Sequence, residues 1–151
     1  RGSRGGGGAA AEGSDMAASM RRLFVYGSLM HPRVRTALLQ HDPVASPAVL
    51  SGYHRYQVHG EVYPAIRPLA DSNVAGQVLE LTEDELAVLD RFEGREYERI
   101  EVEVLVDGSE VQPAFAYMWV ADEAELHGAW ELSEHFDVEA FMGGEKRSEH
   151  F

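Results

Sequence analysis

The chain has no cysteine among its 151 residues, so disulfides, thiolate nucleophiles and cysteine-bound zinc are excluded, and any chemistry must use oxygen and nitrogen groups. It lacks the roughly 18 consecutive apolar residues of a membrane-spanning helix, and no basic segment followed by an apolar run opens it. Basic residues are scarce. The 13 Lys and Arg stand against 26 Asp and Glu, and the resulting net charge of −13 repels phosphate backbones and anionic headgroups. The expectation is a cytoplasmic protein that binds neither nucleic acid nor membrane. What is present is an ordinary globular composition, 44% hydrophobic and 26% charged, at a length that suits one domain.

Residues 1–15 are rich in Gly, Ala and Ser, include Gly5-Gly6-Gly7-Gly8 and have no apolar periodicity. They read as a disordered leader, natural or left by cloning, ahead of a single domain over residues 20–151. Within that domain Leu23-Phe24-Val25-Tyr26 is a strand ending at Gly27, and Pro32 is the first residue of a helix carrying Val34, Ala37 and Leu38. Pro43, Pro47, Pro64 and Pro68 mark loop or edge positions. Strands are expected over residues 49–58 and 74–81, the second bounded upstream by Asp71-Ser72-Asn73. Thr82 and Glu85 form a capping box, with Leu81 and Leu86 as the hydrophobic staple, for a helix over residues 83–92 that stops at Gly94. Residues 97–107 alternate apolar and polar, Asp107-Gly108 signals a hairpin, and residues 115–120 return as a strand. A last helix is expected near residues 137–142. Five or six short, mostly antiparallel strands with two or three helices predict an α+β domain with a strongly curved or closed sheet.

Two places could carry chemistry. In Tyr26-Gly27-Ser28-Leu29-Met30 a strand ends on glycine and turns at once towards a helix, and successive N–H groups in such a turn can converge on an anion. The alternative is an ordinary turn with Ser28 capping the next segment. Glu93 follows Leu86 by seven residues and Leu89 by four, on the inward stripe of its helix. Burial and the negative end of the helix dipole both raise a carboxyl pKa from about 4.3 towards neutrality, the tuning a general base needs. The alternative is a frayed helix end with Glu93 in water. Asp90 and Glu96 read as solvated surface. His54, His59 and Glu61 match no ligand spacing, and strand alternation puts the two histidines on opposite faces, so no metal site is expected. Ser28 lacks the glycine-flanked elbow of a serine hydrolase.

Phe24-Val25-Tyr26-Gly27-Ser28-Leu29, Val62-Tyr63-Pro64-Ala65-Ile66, Leu89-Asp90-Arg91-Phe92-Glu93-Gly94 and Tyr97-Glu98-Arg99 occur in that order. Together they resemble the gamma-glutamylcyclotransferase-like family, and within it the plant avirulence-induced-gene-two-like branch, over residues 22–130; His127-Gly128-Ala129-Trp130 looks like that branch as well. The resemblance implies a small mixed, mostly antiparallel β-barrel with a few packed helices. It implies that Tyr26, Gly27, Ser28 and Leu29, followed by Met30 and His31, bind substrate largely through their backbone, and that Glu93 is the acid/base residue. Tyr63, Tyr97 and Trp130 are candidate pocket walls and equally candidate core residues. The implied reaction releases 5-oxoproline from a γ-glutamyl amine or γ-glutamyl amino acid, without metal or organic cofactor, in a monomer whose partner is that small molecule. The leaving group stays open. A different class of reading keeps the pocket without turnover, as a small-molecule or protein-binding module in plant stress or defence. An acidic adaptor would rest on the net charge and on Asp122, Glu123 and Glu125, which otherwise serve as a solubilising surface.

Overall fold

The apolar run at residues 23–26 is buried in the computed structural model, which describes residues 20–59, 61, 63–92 and 95–129. It ends β1 (Arg21–Val25), which leads into a 3-10 turn (Ser28–Met30) and α1 (Pro32–Leu39). Then come β2 (Ala45–Val58), β3 (Pro64–Leu81), α2 (Glu83–Phe92), β4 (Tyr97–Val106), β5 (Glu110–Trp119), a second 3-10 turn (Glu123–Glu125) and β6 (Leu126–Ala129). The helix expected near residues 137–142 lies outside the described residues.

The strands run β3-β1-β5-β4-β2-β6 across the sheet, and β3 pairs with β2 as well, so five strands close into a ring and β6 is added beside β2. The pairings are antiparallel apart from β1 with β5, where Leu23 stands opposite Phe115. This is the mixed, mostly antiparallel closed sheet of the expected α+β domain. The strands are not all short. β2 starts four residues ahead of the expected 49–58, and β3 runs 18 residues through the expected boundary at Asp71-Ser72-Asn73. Those turn formers are absorbed as an irregularity: the β2–β3 register shifts between Ser51 and Tyr53, where Gly52 has φ 85° and Asp71 φ 65°. Pro68 sits beside that shift and Pro64 at the first residue of its strand, where a missing N–H is tolerated; Pro47 lies within β2. The hairpin at Asp107 (φ 54°) and Gly108 (φ 73°) forms as read, although β5 begins at Glu110.

The closed ring divides the core in two. Phe24, Tyr26, Leu50, Ile66, Val74, Val78 and Val104 pack with Ala48, Ala114 and Ala116 in a cluster drawn from strands and the turn after β1. The alternate residues Leu23, Val25, Leu79, Leu81, Tyr97, Tyr117 and Trp119 face outward, under Val34 and Leu39 of α1 and Leu86 and Leu89 of α2. Small residues make room for the Phe24 and Tyr26 rings. Gly76 is the extreme case, because a Cβ there would stand 2.3 Å from the Val25 carbonyl oxygen and 2.9 Å from Phe24 Cζ. α2 starts on the predicted capping box, with the Thr82 N–H donating to Glu85 Oε1 (2.9 Å) and the Glu85 N–H to Thr82 Oγ1 (3.1 Å).

Candidate functional site

β1 hands the chain to residues 26–31 through an anchored tyrosine. Tyr26 is fully buried, stacks on Phe24 and donates its hydroxyl to the Tyr117 carbonyl at 2.6 Å, so its ring belongs to the core. After Gly27 the backbone tightens: the Met30 N–H donates to the Gly27 carbonyl and the His31 N–H to the Ser28 carbonyl, both at 2.9 Å. The other carbonyls of the turn are taken by side chains from elsewhere. Arg55 of β2 donates from one terminal nitrogen to the Tyr26 carbonyl (2.9 Å) and the Ala75 carbonyl (3.0 Å). Arg35 of α1 donates likewise to the carbonyls of Leu29 (3.2 Å) and Met30 (3.1 Å) and to Gln77 Oε1 (3.0 Å), while its Nε donates to Asp42 Oδ1 (2.6 Å).

Each carbonyl of residues 26–30 is therefore occupied within the protein. The leading N–H groups of a 3-10 turn have no acceptor inside it. A turn whose acceptors are withdrawn suits an anion on its N–H side. Ser28 adds a fully buried hydroxyl with no hydrogen-bond partner among the described residues. It does not cap α1; the His31 Nδ1 does, accepting from the Arg33 N–H at 3.2 Å. Leu29 is fully buried and Met30 partly so.

Tyr63 and Tyr97 are 5% and 3% exposed in the outer core, with the Tyr97 hydroxyl donating to the Pro64 carbonyl at 2.6 Å. Their rings meet edge to face with centroids 6.5 Å apart, and Tyr97 meets Trp119 the same way at 5.4 Å. Glu93 and Trp130 lie outside the described residues. Asp90 is not simply solvated surface, because its Oδ1 accepts from the buried Tyr117 hydroxyl and its Oδ2 pairs with Arg99 at 3.4 Å. Tyr117 reaches it from β5, a partner 27 positions away that helix periodicity could not reveal. Asp90 and Arg99 line a cleft of about 310 Å³ with Arg21, Glu83 and Phe115, where Arg21 and Glu83 also pair. Arg35 enters the site only through the fold. Its signal was available, since a cation four residues before Leu39 falls on the apolar stripe of α1, unlike the exposed Arg33. Arg55 carries no such signal.

His54 accepts or donates at Ser72 Oγ (3.0 Å) and packs edge-on against Tyr56, and among the described residues no His, Asp and Glu cluster could hold a metal ion. No described helix is long and apolar enough to cross a membrane.

The family model described as gamma-glutamyl cyclotransferase, AIG2-like, matches residues 23–136. AIG2-like protein C of Arabidopsis thaliana is 45% identical over 130 residues, covering 83% of this chain and 76% of its own. A solution structure of another Arabidopsis thaliana protein is 38% identical with a TM-score of 0.67, covering 74% of this chain and 77% of that one. A solved structure titled gamma-glutamyl cyclotransferase has a TM-score of 0.59 at 18% identity, over 67% of each chain, a likeness of fold alone.

Proposed function

The chain belongs to the gamma-glutamyl cyclotransferase, AIG2-like family, and from that premise we propose that it releases 5-oxoproline from a γ-glutamyl amine or γ-glutamyl amino acid. The observation that carries this reading is the turn at residues 26–30, whose carbonyls are all tied back and whose leading N–H groups suit a carboxylate. A γ-glutamyl compound brings one, its α-carboxylate. Held there, the substrate folds so that its own α-amine reaches its γ-carbonyl, and fixing that conformer replaces a rare encounter with a standing one.

The α-amine is mostly protonated at neutral pH, so a base must first take a proton. Glu93 is that base. The amine nitrogen then bonds to the γ-carbonyl carbon, the bond from that carbon to the departing amine breaks, and the proton held by Glu93 passes to the leaving nitrogen. The ring nitrogen gives its surplus proton through the freed Glu93 carboxylate to the released amine, which departs as an ammonium ion. Ring closure consumes no water and changes no oxidation state. N–H donors not engaged by the α-carboxylate stabilise the oxyanion that forms at the γ-carbonyl. The family itself is named for gamma-glutamyl cyclotransferase, which supports the reaction without naming this chain's leaving group.

The test is incubation of the purified chain with γ-glutamyl amino acids, γ-glutamyl amines and glutathione, with 5-oxoproline quantified by mass spectrometry beside E93Q. Release that is lost in E93Q bears the reading out and names the leaving-group class. No release from a folded wild type overturns it and favours a pocket that binds without turnover.

A further inference from the structure

The turn at residues 26–30 does not hold its own shape. Its two internal bonds satisfy the Gly27 and Ser28 carbonyls, and the remaining three carbonyls are held by guanidinium groups from two other elements. We propose that Arg35 and Arg55 are positioning residues that give this turn its preference for a carboxylate, by turning the Tyr26, Leu29 and Met30 carbonyls away from the ligand and holding positive charge behind it.

Three features support the assignment. Arg35 is 5% exposed, and a cation so buried is costly where an aliphatic side chain would pack as well, so its retention calls for a polar task. One of its terminal nitrogens serves the Leu29 carbonyl, the Met30 carbonyl and Gln77 together, tying the turn to β3, while Nε is spent on Asp42. Arg55 does the same from the opposite end, joining the Tyr26 carbonyl to that of Ala75, also on β3. Both clamps therefore refer the turn to one strand of the closed ring. A carbonyl released from either would be free to swing towards the ligand, where its negative end repels a carboxylate. Arg35 shares its charge with Asp42, and the positive charge that remains acts in the same direction at short range. Neither arginine needs to touch substrate for this.

The inference rests on the cyclotransferase reading only for which molecule carries the carboxylate, so binding is measured apart from turnover. The full chain is titrated with 5-oxoproline and with 5-oxoprolinamide, which differs by a neutral amide in place of the carboxylate, while the amide resonances of Gly27, Ser28 and Leu29 are followed by NMR. R35K and R55K are compared with wild type after thermal unfolding has established that each is folded. Lysine keeps the charge but not the planar fork, and it cannot reproduce the set of acceptors that Arg35 serves. Wild type should favour 5-oxoproline over its amide, and each variant should lose about tenfold of that preference, as expected for charge-ordered hydrogen bonds of this kind. In turnover, KM for a γ-glutamyl amine should rise by a similar factor, about tenfold, with kcat changed less than about threefold, because the acid/base step is untouched.

A folded R35K or R55K that keeps the wild-type preference overturns the role of that arginine. Where R35K does not fold, R55K decides. Wild-type amides that respond equally to both compounds, or to neither, overturn the proposal as a whole. Carboxylate preference that depends on the arginines, without any 5-oxoproline release from wild type, upholds the clamp and overturns the reaction.

Discussion

Glu93, chosen from helix spacing and the family resemblance, and Ser28, buried in the structure, carry different predictions. E93Q keeps shape and removes the proposed proton carrier, so kcat/KM for 5-oxoproline release should fall by about 10²- to 10⁴-fold while the thermal midpoint stays at the wild-type value. Ser28 is different, because among the described residues its buried hydroxyl makes no hydrogen bond that Ala would lose. S28A should leave the unfolding free energy within about 0.5 kcal/mol of wild type, or raise it, in urea titrations. A loss well beyond that would mean the hydroxyl is bonded in the folded state. Asp90 carries the converse lesson: a carboxylate that looks solvated by periodicity acquires a buried tyrosine hydroxyl from another element.

Among the elements, those set by neighbours in the chain were legible and those set by distant partners were not. The capping box of α2 and the Asp107-Gly108 hairpin are local hydrogen-bond arrangements, and both form where their residues stand. The lengths of β2 and β3 were hidden, because Asp71-Ser72-Asn73 favours a turn and only pairing with β2 both before and after it, Tyr53 with Pro68 and Ser51 with Asn73, carries the strand past it. Gly76 belongs to the same long-range geometry. A Cβ there meets a carbonyl oxygen of β1 one residue before Tyr26, and backbone cannot swing aside as a side chain can. G76A should therefore cost about 1–3 kcal/mol in denaturant unfolding, and it should also weaken 5-oxoproline binding because the site turn begins at that contact.

For the molecule as a whole, the ring closed by β2 with β3 and by β1 with β5 makes the site turn the exit of a strand held on both sides. Its acidity acts at this scale too. A net charge of −13 on 16.7 kDa repels itself in the compact state. Raising NaCl from about 0.01 M to 0.15 M shortens the screening length from about 30 Å to 8 Å, so the thermal midpoint should rise across that interval in a buffered scan. A midpoint that falls instead would mean that attractive pairs such as Arg67 with Glu123 outweigh the net repulsion.

The sequence by itself determined the helix starts, the hairpin, the alternation of β4 and the ordered motifs of the family, because each depends on residues within one element or on a pattern read along the chain. Only the tertiary structure decided that the sheet closes, that Tyr26, Tyr63 and Tyr97 are core, and that the Tyr26, Leu29 and Met30 carbonyls after β1 are tied back by arginines of other elements. The physical reason is the same in each case. Arg55 reaches the Tyr26 carbonyl from 29 positions away and Arg35 reaches Gln77 from 42, and no local periodicity encodes where a guanidinium on one element meets a carbonyl or an amide on another.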